Sequence, residues 1–339
     1  MPFSVGLSNE LSNGGDGFSW GEIAIDTLQP LDWKFLQPVA DNFTPESVLG
    51  FDGVAFTGPG VIQGSFAAPE DSPLIISRFG VGYDNIDLDE CTRAGVALTI
   101  TPDASKKPVA TAALTLVLAT MHRLGAKQQL ARANDWERRI QGLGQGLTGK
   151  IVATIGLGNI ATEFFRLIEP FGVKKIAVDP WKTQAEANQF NVTLLDLNTL
   201  MSQADVVVVL ATLTPDTWHL INAANIALMK PSAFLINMSR GPIVDEAALI
   251  AALQSGKIAG AGLDVFETEP TLFDNPLLSM ENVVATLHNL AWTDELALGM
   301  GRSAFNAISM MSQGKIPAYV VNKKVLESPQ FIKKLERFK

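Results

Sequence analysis

Cysteine is almost absent from this chain, and no long apolar run occurs in it. Its 339 residues include one cysteine, Cys91, which cannot form an intramolecular disulfide, so we expect a reducing, cytoplasmic environment. Residues 1–6 lack the basic segment followed by an apolar one that a secretory signal requires. The longest uncharged apolar stretch, residues 109–121, is too short for a bilayer, which needs about 20 residues. These absences argue against secreted and membrane-spanning proteins.

Positive charge is scarce as well. Lysine and arginine number 26 against 35 aspartates and glutamates, which gives a formal net charge of -9. Because phosphate neutralisation needs a concentrated basic surface, this balance argues against a nucleic-acid binder. Only residues 320–339 reverse the sign locally, and we interpret them as a solvated amphipathic terminal helix rather than a binding tail.

Metal-site and serine-hydrolase signatures are missing. No closely spaced His/Cys pair occurs, and the carboxylates within residues 84–90 are more typical of a solvated loop and helix start than of a cation site. No Gly-x-Ser-x-Gly elbow is present either. We therefore expect no resident metal and no serine-hydrolase chemistry.

Hydrophobic residues make up 47% of the chain, enough for substantial cores in two domains. From residue 150 onward, short β-branched runs alternate with helical stretches such as 162–168 and 245–254, which predicts a doubly wound parallel sheet. A less regular alternation in the first hundred residues predicts a second α/β domain. We expect a hinge between Pro102 and Pro108, one long apolar helix over 109–124 and an exposed loop at 9–19. The predicted strands cover residues 53–56, 74–77, 96–100, 151–155, 175–178, 206–210, 233–237, 261–265 and 283–287.

The most specific local motif follows the predicted strand 151–155. Gly156 and Gly158 allow a tight turn in which backbone N–H groups approach a pyrophosphate, and the small Ala161 lets the next helix pack on the strand. Asp179 ends the next strand, where its carboxylate can accept hydrogen bonds from an adenosine ribose and would repel the 2′-phosphate of NADP. The motif therefore predicts a dinucleotide site that favours NAD, a preference that nearby Lys182 weakens slightly.

Three polar residues follow strands of the same predicted sheet. Arg240, Glu269 and His288 each come after a different strand, and the carboxyl ends of parallel strands share one edge. Arginine can hold a carboxylate bidentately, histidine can exchange a hydroxyl proton near neutral pH, and a glutamate can orient the imidazole. This set predicts hydride transfer between nicotinamide and C2 of a small 2-hydroxy or 2-oxo acid. The other histidines, His122 and His219, are interpreted as structural.

Several segments, in order, resemble the D-isomer-specific 2-hydroxyacid dehydrogenase family. They are residues 78–87 (RFGVGYDNID), the glycine turn at 156–161, the loop 213–217 (LTPDT), residues 239–246 (SRGPIVDE), residues 264–270 (DVFETEP) and residues 286–289 (TLHN). The resemblance implies Arg240, Glu269 and His288 as catalytic residues. Backbone N–H groups in the first segment, at Val81 and Gly82, would receive the substrate carboxylate together with Arg240 and His288. The implied cofactor contacts are Gly156, Gly158, Asn159, Ile160, Asp179, Leu213, Thr217, Met238, Ser239 and Asp264.

The resemblance also implies an architecture. A Rossmann-type NAD domain at 105–290 would be inserted into a smaller flavodoxin-like α/β substrate domain formed by residues 1–104 and 291–339. It implies a homodimer through the cofactor domain, with the helix from Val109 and the segment around Trp136 as contacts.

Some residues depart from the family pattern. Thr111 stands where a glutamate is usual, and Leu287 replaces the usual proline before the histidine. Phe56 and Trp292 are candidates for either pocket wall or core. A dinucleotide-sensing protein like the related corepressors, or phosphite or formate oxidation, remain alternatives. Glu269 disfavours formate oxidation, because formate dehydrogenases of the family carry glutamine there.

Overall fold

The computed structural model describes residues 2–15 and 17–339, so Asp16 of the predicted loop 9–19 lies outside the described residues. The strands are β1 Ser4–Leu7, β2 Asp32–Phe35, β3 Gly53–Phe56, β4 Ile75–Arg78, β5 Ala97–Thr99, β6 Ile151–Ile155, β7 Lys174–Val178, β8 Val192–Leu194, β9 Val206–Val209, β10 Phe234–Asn237, β11 Gly260–Leu263 and β12 Val283–Ala285. The helices are α1 Pro45–Val48, α2 Leu88–Arg93, α3 Pro102–Met121, α4 Leu124–Arg132, α5 Asn159–Leu167, α6 Gln184–Asn188, α7 Leu197–Gln203, α8 Ala223–Leu228, α9 Glu246–Gln254, α10 Asp294–Ser312 and α11 Pro329–Leu335.

The chain divides into two compact units. One combines Met1–Ser105 with Trp292–Lys339, and the other is Lys106–Ala291. In the first unit five parallel strands lie in the order β2-β1-β3-β4-β5, which is the flavodoxin-like order. In the second unit seven parallel strands lie in the order β12-β11-β10-β9-β6-β7-β8. The prediction of an α/β fold with a doubly wound parallel sheet is confirmed.

The hydrophobic core of the larger unit contains side chains from neighbouring strands that are in register with one another. Ala153 of β6 is in register with Val207 of β9, which is in register with Leu235 of β10. All three side chains are buried in one cluster with residues of α7, α8 and α9. Every residue of β9 is buried, as expected for a strand covered on both faces. The order of strands reverses between β6 and β9, and such a reversal opens a crevice at the carboxyl ends of the strands.

Several predicted boundaries are wrong. The apolar helix begins at Pro102 rather than at residue 109 and ends at Met121, where Arg123 adopts a left-handed φ of 54°. The stretch between Pro102 and Pro108, where a hinge is predicted, forms the first part of this helix. Within the described residues no single helix is long and apolar enough to span a membrane, and α3 with α4 meets the length only as a pair bent by 62°.

The acidic stretch at 84–90 is less solvated than predicted. Asp87 caps α2 by accepting hydrogen bonds from the N–H groups of Asp89 and Glu90. The Glu90 side chain is buried, pairs with Arg93 at 2.7 Å and accepts from the N–H of Gly64 at 3.1 Å. Glu90 thus connects α2 to the segment that contains Gly64, which is a structural role.

The basic C-terminal segment forms α11, and one of its lysines is not solvated. Lys334 is 4% exposed, and its Nζ donates to the carbonyl oxygens of Ser72, Pro73 and Ala94 at 3.3, 2.7 and 2.9 Å. Burial lowers the pKa of Lys334 from its ordinary 10.5 to about 7. Lys334 therefore anchors α11 to its own unit at the cost of a desolvated charge.

This buried amine predicts an unusual pH dependence of stability. Between pH 7 and 10.5 the unfolded chain binds the Lys334 proton and the folded chain does not, so this group's contribution to stability increases with pH by roughly 1.4 kcal/mol per unit. We expect Lys334→Met to lower the free energy of unfolding more at pH 9 than at pH 6.5. Urea denaturation at pH 6.5 and pH 9 measures the free energy of unfolding of both proteins. Lys333→Met, at the exposed neighbouring position, is the control, and an equal loss at both pH values would contradict the prediction.

Candidate functional site

The glycine-rich turn joins β6 to α5. Gly156 has a φ of 91°, and a Cβ there would lie 3.1 Å from Cα of Ala211, so only glycine fits this turn without strain. Gly158 caps α5, and a Cβ on it would meet nothing within 4 Å. The space before the first turn of α5 is therefore open and faces the positive end of a nine-residue helix. This arrangement fits a pyrophosphate group.

Asp179 follows β7 and braces the same turn. Its Oδ2 accepts a hydrogen bond from the N–H of Leu157 at 2.8 Å, and its Oδ1 accepts from the N–H of Trp181 at 2.9 Å. The carboxylate is thus held beside the glycine turn at the carboxyl edge of the sheet. A carboxylate in this place suits the hydroxyls of an adenosine ribose.

Four further predicted cofactor residues lie in the segments that follow β9 and β10. The Thr217 hydroxyl closes its own loop by donating to the carbonyl oxygen of Thr212 at 2.7 Å. Leu213 packs partly buried against the core, and Met238 is buried. The Ser239 hydroxyl donates to the carbonyl oxygen of Ala211, beside Gly156. For Leu213, Thr217, Met238 and Ser239, contact with a cofactor stays a prediction.

His288 and Glu269 are brought together, although 19 residues separate them. His288 Nδ1 lies 2.7 Å from Glu269 Oε2, and the imidazole is 45% exposed. His288 has a left-handed φ of 55°, and its N–H donates to the carbonyl oxygen of Asp264 at 2.6 Å. A non-glycine residue in this conformation stores strain, which the surrounding hydrogen bonds must hold. The second ring nitrogen, Nε2, is left to exchange a proton.

Asp264 organises the segment that carries His288. It is buried, and its Oδ1 accepts hydrogen bonds from the Thr286 hydroxyl at 2.6 Å and from the N–H groups of Asn289 and Leu290 at 3.1 Å each. These bonds hold the backbone on both sides of the histidine. The cofactor contact that the resemblance implies for Asp264 stays a prediction.

Glu269 is kept ionised by its surroundings. Burial raises its pKa, but the hydrogen bonds from His288 and from the N–H of Phe266, and the charge of Arg240, outweigh burial, so that the pKa lies below its ordinary value. The Phe266 N–H donates to Oε1 at 2.9 Å, which leaves Oε2 for the imidazole. A charged, oriented carboxylate can fix the tautomer of its histidine.

Arg240 follows β10, the neighbour of β11 in the sheet. Its Nη1 donates to the carbonyl oxygen of Ser239 at 2.9 Å, and its own carbonyl oxygen accepts from Asn237 Nδ2 at 3.0 Å. A Cβ on Gly241 would lie 1.8 Å from the carbonyl oxygen of Phe266, so the arginine loop presses on the loop that leads to Glu269. The Arg240 charge acts on Glu269 across this contact.

A supporting network was missed by sequence reasoning. His219, interpreted as structural, places Nε2 3.0 Å from Oε1 of Glu267, two residues before Glu269. Glu267 and Glu246 exchange hydrogen bonds, each carboxylate accepting from the other's backbone N–H at 3.1 and 2.9 Å. The network joins three loops at the strand ends. The only sequence signal for it is the closeness of Glu267 to Glu269.

The predicted substrate loop belongs to the other unit and follows β4. The N–H of Gly80 donates to the Thr101 hydroxyl at 3.0 Å, while Val81 and Gly82 are half-exposed. In the same unit Phe56 is fully buried and packs on Phe43 with ring centroids 5.2 Å apart, so it is core.

Trp292 and Thr111, two positions noted in the sequence, are both solvent-accessible. Trp292 is 56% exposed and lies against Trp20 with ring centroids 4.7 Å apart. Thr111 is exposed on α3, and its carbonyl oxygen accepts from the Thr115 hydroxyl at 2.9 Å. Neither contact assigns a function to Trp292 or Thr111.

Comparison with known sequences gives a consistent result. The family profile described as D-isomer specific 2-hydroxyacid dehydrogenase, NAD binding domain, matches residues 114–289. A glyoxylate reductase of Thermococcus litoralis is 36% identical over 260 residues, 75% of this chain and 78% of the relative. A glyoxylate/hydroxypyruvate reductase B of Shigella boydii is 36% identical over 312 residues, 89% of this chain and 96% of the relative.

Solved structures with the same fold include two further reductases of glyoxylate or hydroxypyruvate. An NADPH-dependent glyoxylate/hydroxypyruvate reductase from Sinorhizobium meliloti, in complex with NADP and malonate, superposes with a TM-score of 0.78 at 28% identity, covering 96% of this chain and 98% of that one. A glyoxylate reductase from Paecilomyes thermophila superposes with a TM-score of 0.77 at 25% identity, covering 95% and 100%.

Proposed function

Because the chain belongs to the D-isomer specific 2-hydroxyacid dehydrogenase family, as its motifs predict, we propose that it reduces a small 2-oxo acid at C2 with NADH and oxidises the matching D-2-hydroxy acid in reverse. Membership makes it a nicotinamide-dependent 2-hydroxyacid dehydrogenase. The residue roles, the cofactor preference and the assembly state are proposed from the site.

The observation that supports this proposal most directly is the 2.7 Å contact of His288 with Glu269 beside Arg240 at the carboxyl edge of the sheet. The nicotinamide supplies or accepts the hydride when bound. His288 gives a proton to the carbonyl oxygen of the 2-oxo acid, and Glu269 holds the imidazole in the orientation that leaves Nε2 for this transfer. Arg240 binds the substrate carboxylate.

A direct assay tests the activity. Purified protein should oxidise NADH, measured as loss of absorbance, with glyoxylate, hydroxypyruvate or another small 2-oxo acid. It should also reduce NAD with a D-2-hydroxy acid and leave the L-isomer unchanged. Flat absorbance across a broad panel of 2-oxo acids, for protein that binds NADH, would refute the proposed reaction.

NAD is proposed as the preferred cofactor because the Asp179 carboxylate is held beside the glycine turn, where an adenosine ribose is expected. The similar structures include an NADPH-dependent enzyme, so the preference must come from this chain's own residues. The glycine turn and the helix end serve both dinucleotides alike, whereas a fixed carboxylate disfavours the additional phosphate of NADP.

Asp179→Asn removes the charge and keeps one of the two acceptor oxygens that brace the turn. Asparagine can accept from the N–H of Leu157, loses the acceptor for the N–H of Trp181, and no longer repels a phosphate. We expect the ratio of kcat/KM for NADH to that for NADPH to fall by roughly 10- to 100-fold, a change of about 1.4 to 2.8 kcal/mol. Initial rates with both cofactors at saturating 2-oxo acid measure it. An unchanged ratio would remove Asp179 as the discriminating residue.

A second copy of this chain is proposed as the partner of the unit Lys106–Ala291. Large apolar side chains are exposed along one segment after α3: Leu124 at 57%, Trp136 at 67%, Ile140 at 80% and Leu143 at 88%. Clustered exposure of this kind is costly in water and typical of an interface. Light scattering should give twice the chain mass, and a monomer at all concentrations would refute the homodimer.

A cytoplasmic location is proposed from the thiol content. Cys91 is buried, and burial, followed by the nearby carboxylates of Asp87 and Glu90, raises its pKa to about 12. Such a thiol is inert and needs no disulfide partner. Recovery of the native protein with secreted or membrane fractions of its source cell would refute this location.

A further inference from the structure

The segment after Asp179 contains a cation that is restrained by a neighbouring carboxylate. Lys182 Nζ lies 3.2 Å from Glu186 Oε1, with the two side chains 37% and 46% exposed. Lys182 is three residues after Asp179, and its N–H donates to the carbonyl oxygen of Asp179 at 3.3 Å. The ammonium group is therefore built on the same turn as the proposed ribose-binding carboxylate.

Glu186 is held in place independently of Lys182. Its Oε2 accepts from the N–H of Thr183 at 2.8 Å and from the Thr183 hydroxyl at 2.9 Å, in a capping box that starts α6. These two donors and the Lys182 ammonium lower the pKa of Glu186 to about 2, so the carboxylate is charged at any working pH. The Glu186 carboxylate is thus fixed through Oε2, and its other oxygen, Oε1, contacts the Lys182 ammonium group.

The charges along this turn determine what a 2′-phosphate would meet. Asp179 and Glu186 contribute two negative charges and Lys182 one positive charge, and the positive one is already paired. Without Glu186, the flexible lysine stem could turn its ammonium group toward a phosphate beside Asp179 and offset the repulsion. Because Lys182 is paired with Glu186, its ammonium group does not offset the repulsion between Asp179 and a 2′-phosphate.

We propose that Glu186 is a specificity-determining residue that acts through Lys182: it keeps the Lys182 ammonium away from the ribose 2′ position and so disfavours NADP. The inference rests on the proposed dinucleotide site and goes beyond it, because Glu186 is proposed to act through its ion pair with Lys182. Lys182 alone would favour NADP, and the two residues together leave the preference set by Asp179.

Binding of two fragments tests the proposal without any chemical step. ADP-ribose and 2′-phospho-ADP-ribose, titrated calorimetrically, differ only in the phosphate. Glu186→Gln keeps an acceptor for Thr183 but loses the charge, and we expect it to tighten 2′-phospho-ADP-ribose by about 5-fold at low salt, with ADP-ribose within about 2-fold of wild type. The kcat/KM for NADPH should rise by the same factor.

Two further variants decide whether Lys182 carries the effect. In the double variant Glu186→Gln with Lys182→Met the gain should vanish, because no ammonium group is then available. Glu281→Gln removes an equal charge from an exposed carboxylate before the amino end of β12, at the opposite edge of the sheet, and should leave both affinities unchanged.

The outcomes separate this inference from the proposed function. A gain that persists in the double variant, or one no larger than that of Glu281→Gln, overturns the role of Glu186 while leaving the dehydrogenase intact. A wild-type protein that binds neither ADP-ribose nor NADH overturns both. A gain that depends on Lys182 supports the inference even when the physiological 2-oxo acid is unknown.

Discussion

His288→Gln is expected to lower kcat for 2-oxo acid reduction by roughly 10²- to 10⁴-fold, the range that a positioned general acid contributes. The imidazole is the proton donor that the geometry leaves free, since Nδ1 is engaged by Glu269 at 2.7 Å. Glutamine can still hydrogen-bond but cannot exchange a proton. The KM for NADH should therefore stay within about 3-fold of wild type, because the glycine turn and Asp179 are untouched.

Steady-state kinetics with both substrates varied separates these effects. Glu269→Gln keeps a hydrogen-bonding side chain beside the imidazole and removes the charge, so its kcat should fall less than that of His288→Gln. His122→Gln, at the exposed position directly after α3, is the matched control and should leave kcat unchanged. Turnover of the His288 variant near the wild-type level would remove this residue from the proton step.

Folding must be checked separately, because His288 sits in a strained backbone conformation. Its φ of 55° is supported by the Asp264 carbonyl and by the hydrogen bonds that Asp264 makes on either side. Glutamine adopts a left-handed φ no more easily than histidine, so a small loss of thermal stability is expected. NADH binding followed by fluorescence, together with the unfolding midpoint, distinguishes a lost proton donor from a lost fold.

The strands of the larger sheet could be predicted because buried parallel strands have continuous apolar sequences. Residues 151–155 match β6, and the buried run at β9 is recognisable without any partner. Three strands, β1, β2 and β8, were not predicted. β2 and β8 lie at sheet edges, and β1 is a four-residue inner strand that contains Ser4 and Gly6. β8 has three residues, and β2 is an edge strand with an alternately exposed pattern, so both depend on the sheet for their conformation.

The glycine turn and the strand-end residues could likewise be located, since parallel strands place their carboxyl ends on one edge. The supports of these residues could not. Whether Asp264 turns an oxygen to the segment of His288, or His219 reaches Glu267, depends on loop conformations and on side-chain rotamers that no periodicity encodes. The end of α3 at Met121 is a similar case, because it depends on the left-handed residue Arg123.

The second large effect on activity is expected from substitution of Arg240. Arg240→Leu should lower kcat/KM for a 2-oxo acid by roughly 10²- to 10⁴-fold, because a charge-assisted bidentate pair contributes several kcal/mol at about 1.4 kcal/mol per tenfold change. Arg240→Lys should recover only part of this loss, since an ammonium group keeps the charge but not the planar fork. The hydrogen bond from Nη1 to the Ser239 carbonyl would change in both variants, so the lysine variant controls for it.

A substrate without a carboxylate shows whether Arg240 acts on that group. With pyruvamide in place of pyruvate, the wild-type enzyme should lose most of its kcat/KM, whereas Arg240→Leu should discriminate little between the two. This non-additivity of the residue change and the substrate change is the signature of direct contact. If the two losses simply add, Arg240 acts elsewhere, and its charge effect on Glu269 becomes the better account of its role. In that case the variant should lower kcat for pyruvate and pyruvamide by the same factor, because Glu269 orients His288 for either carbonyl.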